Sequence, residues 1–190
     1  MHNEDELTFG AIPINTPNMT RDRAKKFTFT DDQTKAYNGL IKFINEPYNP
    51  KDFKRALIGP GGTGKTFLLK ALLQDCNIPF SEIGLSAPSH KACRVLKNSI
   101  RGTHCNVNTI QSDFGFKPNY DIEKFDINNV TFASYGRIKI EDYRLYIVDE
   151  SSMLNRSLVT YIDKMMKKYS IKLILCGDDA QIPPVNEKDS

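Results

Sequence analysis

The stretch that most constrains this chain is RALIGPGGTGKTFLLKALL, from Arg55 to Leu73. A short apolar run, Ala56-Leu57-Ile58, meets Gly59-Pro60-Gly61-Gly62-Thr63-Gly64-Lys65-Thr66, and an apolar-periodic segment follows. This is G-x-x-x-x-G-K-[ST] in the order the motif requires: strand, glycine loop, helix start. Phosphate oxygens need backbone N–H groups aimed inward at close range, and glycines let the chain come that near. The helix that follows adds its unpaired N-terminal N–H groups and the positive end of its dipole. Lys65 supplies a point charge to the outer phosphates, and the Thr66 hydroxyl is a ligand for Mg²⁺. A loop of this kind binds a nucleoside di- or triphosphate, and the expected ligands are ATP and Mg²⁺. Glycine turns between strand and helix also occur for packing alone, but they do not need the lysine and threonine.

The remaining bulk properties narrow little. A chain of 190 residues suits one ordinary domain with room for a small insertion. A net charge of +3 is too small to argue for nucleic acid by itself. Cys76, Cys93, Cys105 and Cys176 form no C-x-x-C pair and have no fitting histidine spacing, so neither zinc nor a disulfide framework is expected. Cys76 and Cys176 lie in apolar contexts and read as core. The N-terminus is polar, unlike a signal peptide, and no run approaches the ~20 apolar residues of a membrane span. A cytoplasmic, monomeric protein is expected, in the host cytoplasm if the source is viral.

Residues 1–26 are polar, with Pro13, Pro17 and a basic end, and read as a solvated tail. From Phe27 the character changes: Thr30 is a plausible N-cap, Asp31 and Asp32 follow, and Ala36, Tyr37, Leu40, Ile41 and Ile44 recur at helical spacing. Ile83 to Ala87, Tyr143 to Val148 and Ile171 to Cys176 read as further buried strands. Helical patterns stand between them, from Lys91 onward and from Ser151 to Lys168. Thr103 to Ser112 reads as a connector. Apolar strands separated by helices indicate an α/β fold: a parallel sheet with helices on both faces and the strand-end loops gathered on one edge. Between residues 114 and 142, Gly115, Pro118, Asn128-Asn129 and Gly136 interrupt aromatic and β-branched residues. Ile127, Val130 and Phe132, set against Ile138 and Ile140, suggest a small β-hairpin inserted in the core.

Asp149-Glu150 closes the third of these strands, where a nucleotide hydrolase needs it. The aspartate can share a metal with Thr66, and the glutamate can polarise an attacking water. Acidic pairs after strands also serve as helix caps. Gln181, held by Pro183-Pro184 after the last strand, offers a neutral amide to a γ-phosphate. Gln33 offers one to the N6 and N7 edge of adenine.

Gln33, GPGGTGKT (59–66), SAPSHKA (86–92), TIQS (109–112), IVDESSM (147–153) and GDDAQIPPV (177–185) occur in an order and spacing that resembles superfamily 1 DNA helicases, in the 1B (RecD/Dda/Pif-like) branch. The resemblance covers about Phe27 to Val185. It implies a RecA-like, P-loop NTPase fold and a 5′-to-3′ ATP-dependent DNA helicase. The nucleotide-binding set would be Gln33, Gly59, Pro60, Gly61, Gly62, Thr63, Gly64, Lys65, Thr66 and Phe67. Lys65, Glu150 and Gln181 would be catalytic, and Thr66 and Asp149 would hold the metal. Pro88, Ser89, His90 and Thr109 fall in motifs that contact single-stranded DNA without reading sequence. The 114–142 insertion resembles the hairpin pin of that branch, with Phe132 either a base-stacking aromatic or a core residue of the hairpin. Gln111 stands where the family often has histidine. No second RecA-like domain follows Gln181, so the arginine finger and the opposite wall of the ATP cleft are expected to be missing and the fragment nearly inactive. Two other classes stay open at this point: a P-loop kinase of a small molecule, and a non-catalytic module that binds single strands or a partner protein.

Overall fold

The computed structural model describes residues 27–117, 121–130 and 135–178. Its centre is a five-stranded, all-parallel sheet in the order β1-β5-β4-β2-β3. The strands are β1 (Lys54–Ile58), β2 (Ile83–Ala87), β3 (Asn106–Thr109), β4 (Leu145–Val148) and β5 (Lys172–Gly177). The helices are α1 (Asp31–Asn45), α2 (Lys65–Asp75), α3 (His90–Ser99), the single turn α4 (Ile110–Asp113), and α5 (Arg156–Tyr169).

The central strands show why the sheet is covered on both sides. Side chains alternate across a strand. In β4, Leu145 and Ile147 join one apolar cluster while Tyr146 and Val148 join the other. In β5, Ile174 and Cys176 face the first and Leu173 and Leu175 the second. The first cluster packs against α1, α2 and α3 through Leu40, Phe43, Leu69, Leu72 and Leu96, and Cys76 lies in it, fully buried. The second packs against α5 through Leu158, Ile162 and Met166 and against Phe114, Phe116 and Phe125. Each fully buried leucine contributes about 1.5–3 kcal/mol relative to exposure.

Local signals set the helix ends. Thr30 and Gln33 form a reciprocal capping box that starts α1. The other end of α1 is closed from a distance: the buried Lys172 of β5 donates to the carbonyls of Phe43, Ile44 and Glu46. A cation on the last carbonyls of a helix satisfies orphan acceptors and opposes the dipole. Asn155 caps α5, so that helix begins at Arg156, and Ser151–Met153 is a separate 3-10 turn.

Two expectations change. The polar connector at 103–112 contains a fifth strand, β3, which pairs with β2 at the sheet edge. The insertion is not built as a hairpin through Ile127. Ile122–Lys124 and Ile127–Asn129 are 3-10 turns, because Asp121 and Asp126 accept from the N–H groups two residues on and hold the chain in turns. Ile127, Val130 and Ile138 pack against the second apolar cluster, and Ile140 lies within it. Phe132 lies outside the described residues.

Candidate functional site

Because every strand runs the same way, the loops after β1, β4 and β5 leave from one edge of the sheet. Gly59 to Gly64 follows β1, and Gly62 and Gly64 have positive φ (80° and 84°). A side chain at Gly64 would strike the Gln33 amide, since an added Cβ lies 2.7 Å from Nε2. No side chain caps α2, whose N-cap is Gly64, so its first N–H groups remain for a ligand. The Lys65 ammonium donates to the Gly59 and Pro60 carbonyls, the latter at 2.9 Å. Thr63 Oγ1 also donates to Pro60 O, at 2.9 Å, and tightens the loop.

Gln33 reaches this loop directly. Its Nε2 donates to Thr63 O at 2.9 Å, while its Oε1 accepts the Thr30 N–H at 3.1 Å. Both ends of the amide therefore tie the start of α1 to the glycine loop. Gln33, Gly59, Pro60, Gly62, Thr63, Gly64 and Lys65 line one cleft of about 580 Å³ with Ile58 as an apolar wall. The Phe67 ring points elsewhere: it stacks edge-on with Phe27 and Phe29 at 5.1 and 5.7 Å.

The acidic pair stands beside the loop. The Asp149 N–H extends the β2–β4 ladder by donating to Ser86 O at 2.8 Å. Its carboxylate accepts the Glu150 N–H at 3.0 Å. Burial pushes the Asp149 pKa up, while that hydrogen bond and the Lys65 charge pull it down. The Lys65 charge thus reaches the Asp149 carboxylate, although neither Asp149 nor Thr66 is among the residues that line the cleft. Glu150 is exposed and adopts a left-handed conformation (φ 52°, ψ 35°) that non-glycine residues hold only at a cost. The neighbouring Ser151, which sequence reasoning passed over, donates to Cys176 O at 2.9 Å and pins the pair to β5. Gly59 N–H bonds to Gly177 O at 3.3 Å, bringing the last strand's end alongside. Gln181 lies outside the described residues.

A second cleft, also of about 580 Å³, opens over the ends of β2 and β3. It gathers Pro88, Ser89, His90 and Thr109, residues from separate strand ends. Ser89 and Thr109 spend their hydroxyls as N-caps of α3 and α4, accepting from Ala92 N–H at 3.1 Å and Ser112 N–H at 3.2 Å. The insertion forms the far wall with Tyr135, Arg137 and Lys139. Tyr135 is 73% exposed, and Lys139 donates to Ser112 Oγ at 3.0 Å. Sequence reasoning missed these three; the aromatic-then-basic run YGRIK at 135–139 was the available signal.

A buried carboxylate underlies this cleft. Asp113 is fully buried and accepts from Tyr146 Oη at 2.8 Å and from Asn108 Nδ2 at 2.9 Å. Burial raises its pKa to about 6 against those hydrogen bonds and the Lys139 charge. Its own carbonyl accepts the Lys139 N–H at 2.9 Å, and Gly115 O accepts from Tyr135 and Gly136.

Comparison with known proteins gives this geometry a family. Residues 41–189 match the family model described as AAA domain. The chain is 29% identical over 180 residues to an uncharacterized protein of Acanthamoeba polyphaga mimivirus, covering 85% of this chain and 35% of that one. It is 24% identical over 140 residues to the ATP-dependent DNA helicase Pif1 of Psychrobacter sp. (strain PRwf-1), covering 70% and 20%. The chain thus spans between about a fifth and about a third of the curated relatives it matches. Among the described residues, no helix is long and apolar enough to cross a membrane.

Proposed function

The chain belongs to the AAA domain family as a helicase-like P-loop nucleotide-binding domain of RecA-like fold, and from that premise we propose that it is a motor domain of an ATP-dependent DNA helicase. In this reading nucleotide turnover at the glycine loop drives movement along a single strand held in the second cleft, in the 5′-to-3′ sense that the family resemblance implies. The observation that carries it is the shared sheet edge. The phosphate loop and acidic pair follow β1 and β4, the cleft follows β2 and β3, and the bond from Asp149 N–H to Ser86 O joins the two halves. A small-molecule kinase would bring lid arginines over the phosphate loop, and among the described residues none lines the nucleotide cleft.

The residues divide the work by their chemistry. Gly59 to Thr66 hold the phosphates with backbone N–H groups, and Lys65 neutralises the outer ones. Thr66 and Asp149 fit Mg²⁺, a hard cation that takes an alcohol, one or two carboxylates and substrate oxygens in preference to an all-protein cage. Among the described residues no group of three His, Cys, Asp or Glu would build such a cage. Bound there, the ion would neutralise charge on the phosphate oxygens. Glu150 takes a proton from the attacking water, and Gln181 senses the γ-phosphate. Gln33 reads adenine, and its bond to Thr63 O links base recognition to the loop. In the second cleft Pro88, Ser89, His90 and Thr109 form the floor, and Arg137 and Lys139 attract phosphates. Tyr135 offers a stacking face, one of the two roles open to Phe132.

Among the described residues no arginine lines the nucleotide cleft. An arginine finger accounts for about 10³–10⁵ of rate in related sites. With no arginine at the cleft, these 190 residues are expected to bind nucleotide and strand but to hydrolyse ATP very slowly and unwind no duplex. The test is fluorescence anisotropy with a labelled ATP analogue and a labelled oligothymidine, together with a phosphate-release assay. Binding of both with little turnover is expected. Failure to bind the strand, or a phosphorylated small-molecule product, would overturn the reading.

A further inference from the structure

We propose that the exposed face of α3 is a second nucleic-acid contact, one that grips the phosphate backbone of a duplex arm outside the single-strand cleft. From residue 83 to residue 112 the chain carries no aspartate or glutamate, yet it holds Lys91, Arg94, Lys97 and Arg101. Four cations and no acid give this stretch a local formal charge of +4. All four are exposed. Among the described residues none of them enters an ion pair; Arg101 donates only to the neutral Asn98 side chain.

Helix geometry orders them. At 3.6 residues per turn, Lys91, Arg94 and Lys97 fall within an arc of about 120° on α3, and Arg101 follows in the turn just past its C-cap, Ile100. The opposite side of α3 carries Ala92, Cys93 and Leu96, all buried. The helix is thus anchored to the sheet by one face and shows a one-sign stripe on the other. Its first residue, His90, lines the single-strand cleft, so the stripe runs away from the cleft mouth.

The chemistry of the stripe selects a duplex over a single strand. Single strands are held in grooves with aromatic platforms, and the cleft has both a groove and Tyr135. The α3 stripe is convex and has no aromatic residue, its one exposed large apolar side chain being Val95. Such a surface neutralises phosphates and offers no aromatic platform for bases. Duplex DNA presents the denser target, about one charge per 1.7 Å of axis.

This inference rests on the cleft being a single-strand site, and the experiment separates the two. Binding of the full chain to labelled oligothymidine is compared with binding to the same strand joined to a duplex arm, over a range of salt. The triple variant Arg94→Gln, Lys97→Gln, Arg101→Gln is measured alongside, with ATP-analogue binding as the control for folding. The wild-type chain should bind the junction more tightly than the bare strand. The variant should lose that gain, about tenfold at low salt, and its log–log salt slope on the junction should flatten by about 2 to 3, at roughly 0.9 per phosphate released. Its affinity for the bare strand and for nucleotide should stay as in the wild type. No gain from the duplex arm in the wild-type chain, or a gain the variant keeps, would overturn the proposal and leave the cleft standing. Equal weakening on the bare strand would also overturn it, assigning the face to the single strand. A wild-type chain that binds neither nucleic acid would remove the cleft reading as well.

Discussion

The two halves of the sheet edge are built by different means. The nucleotide half is made of backbone: glycines at positive φ, uncapped helix N–H groups, and a lysine seated on two loop carbonyls. Its parts are contiguous in sequence or sit at the ends of buried strands. The cleft half is made by tertiary approach. Gly115 O receives Tyr135 and Gly136, Asp113 receives Lys139, and a buried carboxylate beneath them binds Tyr146 and Asn108. The first half depends on local conformation and the second on long-range packing. Substitutions should therefore separate them.

The largest separation is expected from Lys65→Ala. Removing a charge that meets phosphate forfeits about 1.5–3 kcal/mol of charge-assisted hydrogen bonding, or roughly 10- to 150-fold in ATP-analogue affinity. Oligothymidine affinity should not move, and a parallel fall in both titrations would break the distinction.

Asp113 tests the cleft half by pH. Its folded pKa of about 6 stands above the ordinary 3.8, so the folded state holds the proton more tightly than the unfolded chain. Its contribution is fully present below 3.8 and is lost as pH rises through about 6. The loss is of order 3 kcal/mol, at about 1.36 kcal/mol per pKa unit. Urea melts across this window should show that decline in the wild-type chain and a flatter profile in Asp113→Asn. Identical profiles would show that Asp113 does not carry the charge cost.

Gly115→Ala should act on the cleft alone. Gly115 has φ +67°, and an added Cβ would lie 2.4 Å from Gly136 O. Strain and clash together are expected to cost about 1–3 kcal/mol and to lower oligothymidine affinity while nucleotide binding persists. Equilibrium unfolding and the two binding titrations on one preparation would check this.

The smallest effect belongs to Gln33→Ala. It removes one side-chain bond to Thr63 O and half of a capping box, together about 0.5–2 kcal/mol. If Gln33 reads adenine, the variant should lose ATP-analogue affinity more than GTP-analogue affinity; equal losses would leave it only the structural role.

How much of this was legible in the sequence follows the same division. The glycine loop, the acidic pair and the parallel α/β core could be read because each is a local pattern: Leu57-Ile58 before glycines, or Leu145 to Val148 before Asp149. The Thr30 cap and the buried Cys76 and Cys176 were legible for the same reason. The strand β3 was hidden because NVNT at a sheet edge is half exposed and carries no apolar run. The turn at Ile127–Asn129 suggests a hairpin strand in the sequence because Ile127 and Val130 are β-branched, whereas Asp126 sets the backbone. The role of Lys172 at the end of α1 and the meeting of Asp113 with Tyr146 join residues far apart in the chain, and no periodicity marks either.

In the proposed function one sheet edge holds a triphosphate and a single strand side by side. A structure of the chain with a magnesium-bound, non-hydrolysable ATP analogue and an oligothymidine tests it most directly. Phosphates are expected on residues 59–66 with Asp149 at the metal, and the strand between Ser89 and Tyr135. Phosphates away from Lys65, or a strand lying on another face of the sheet, would contradict it.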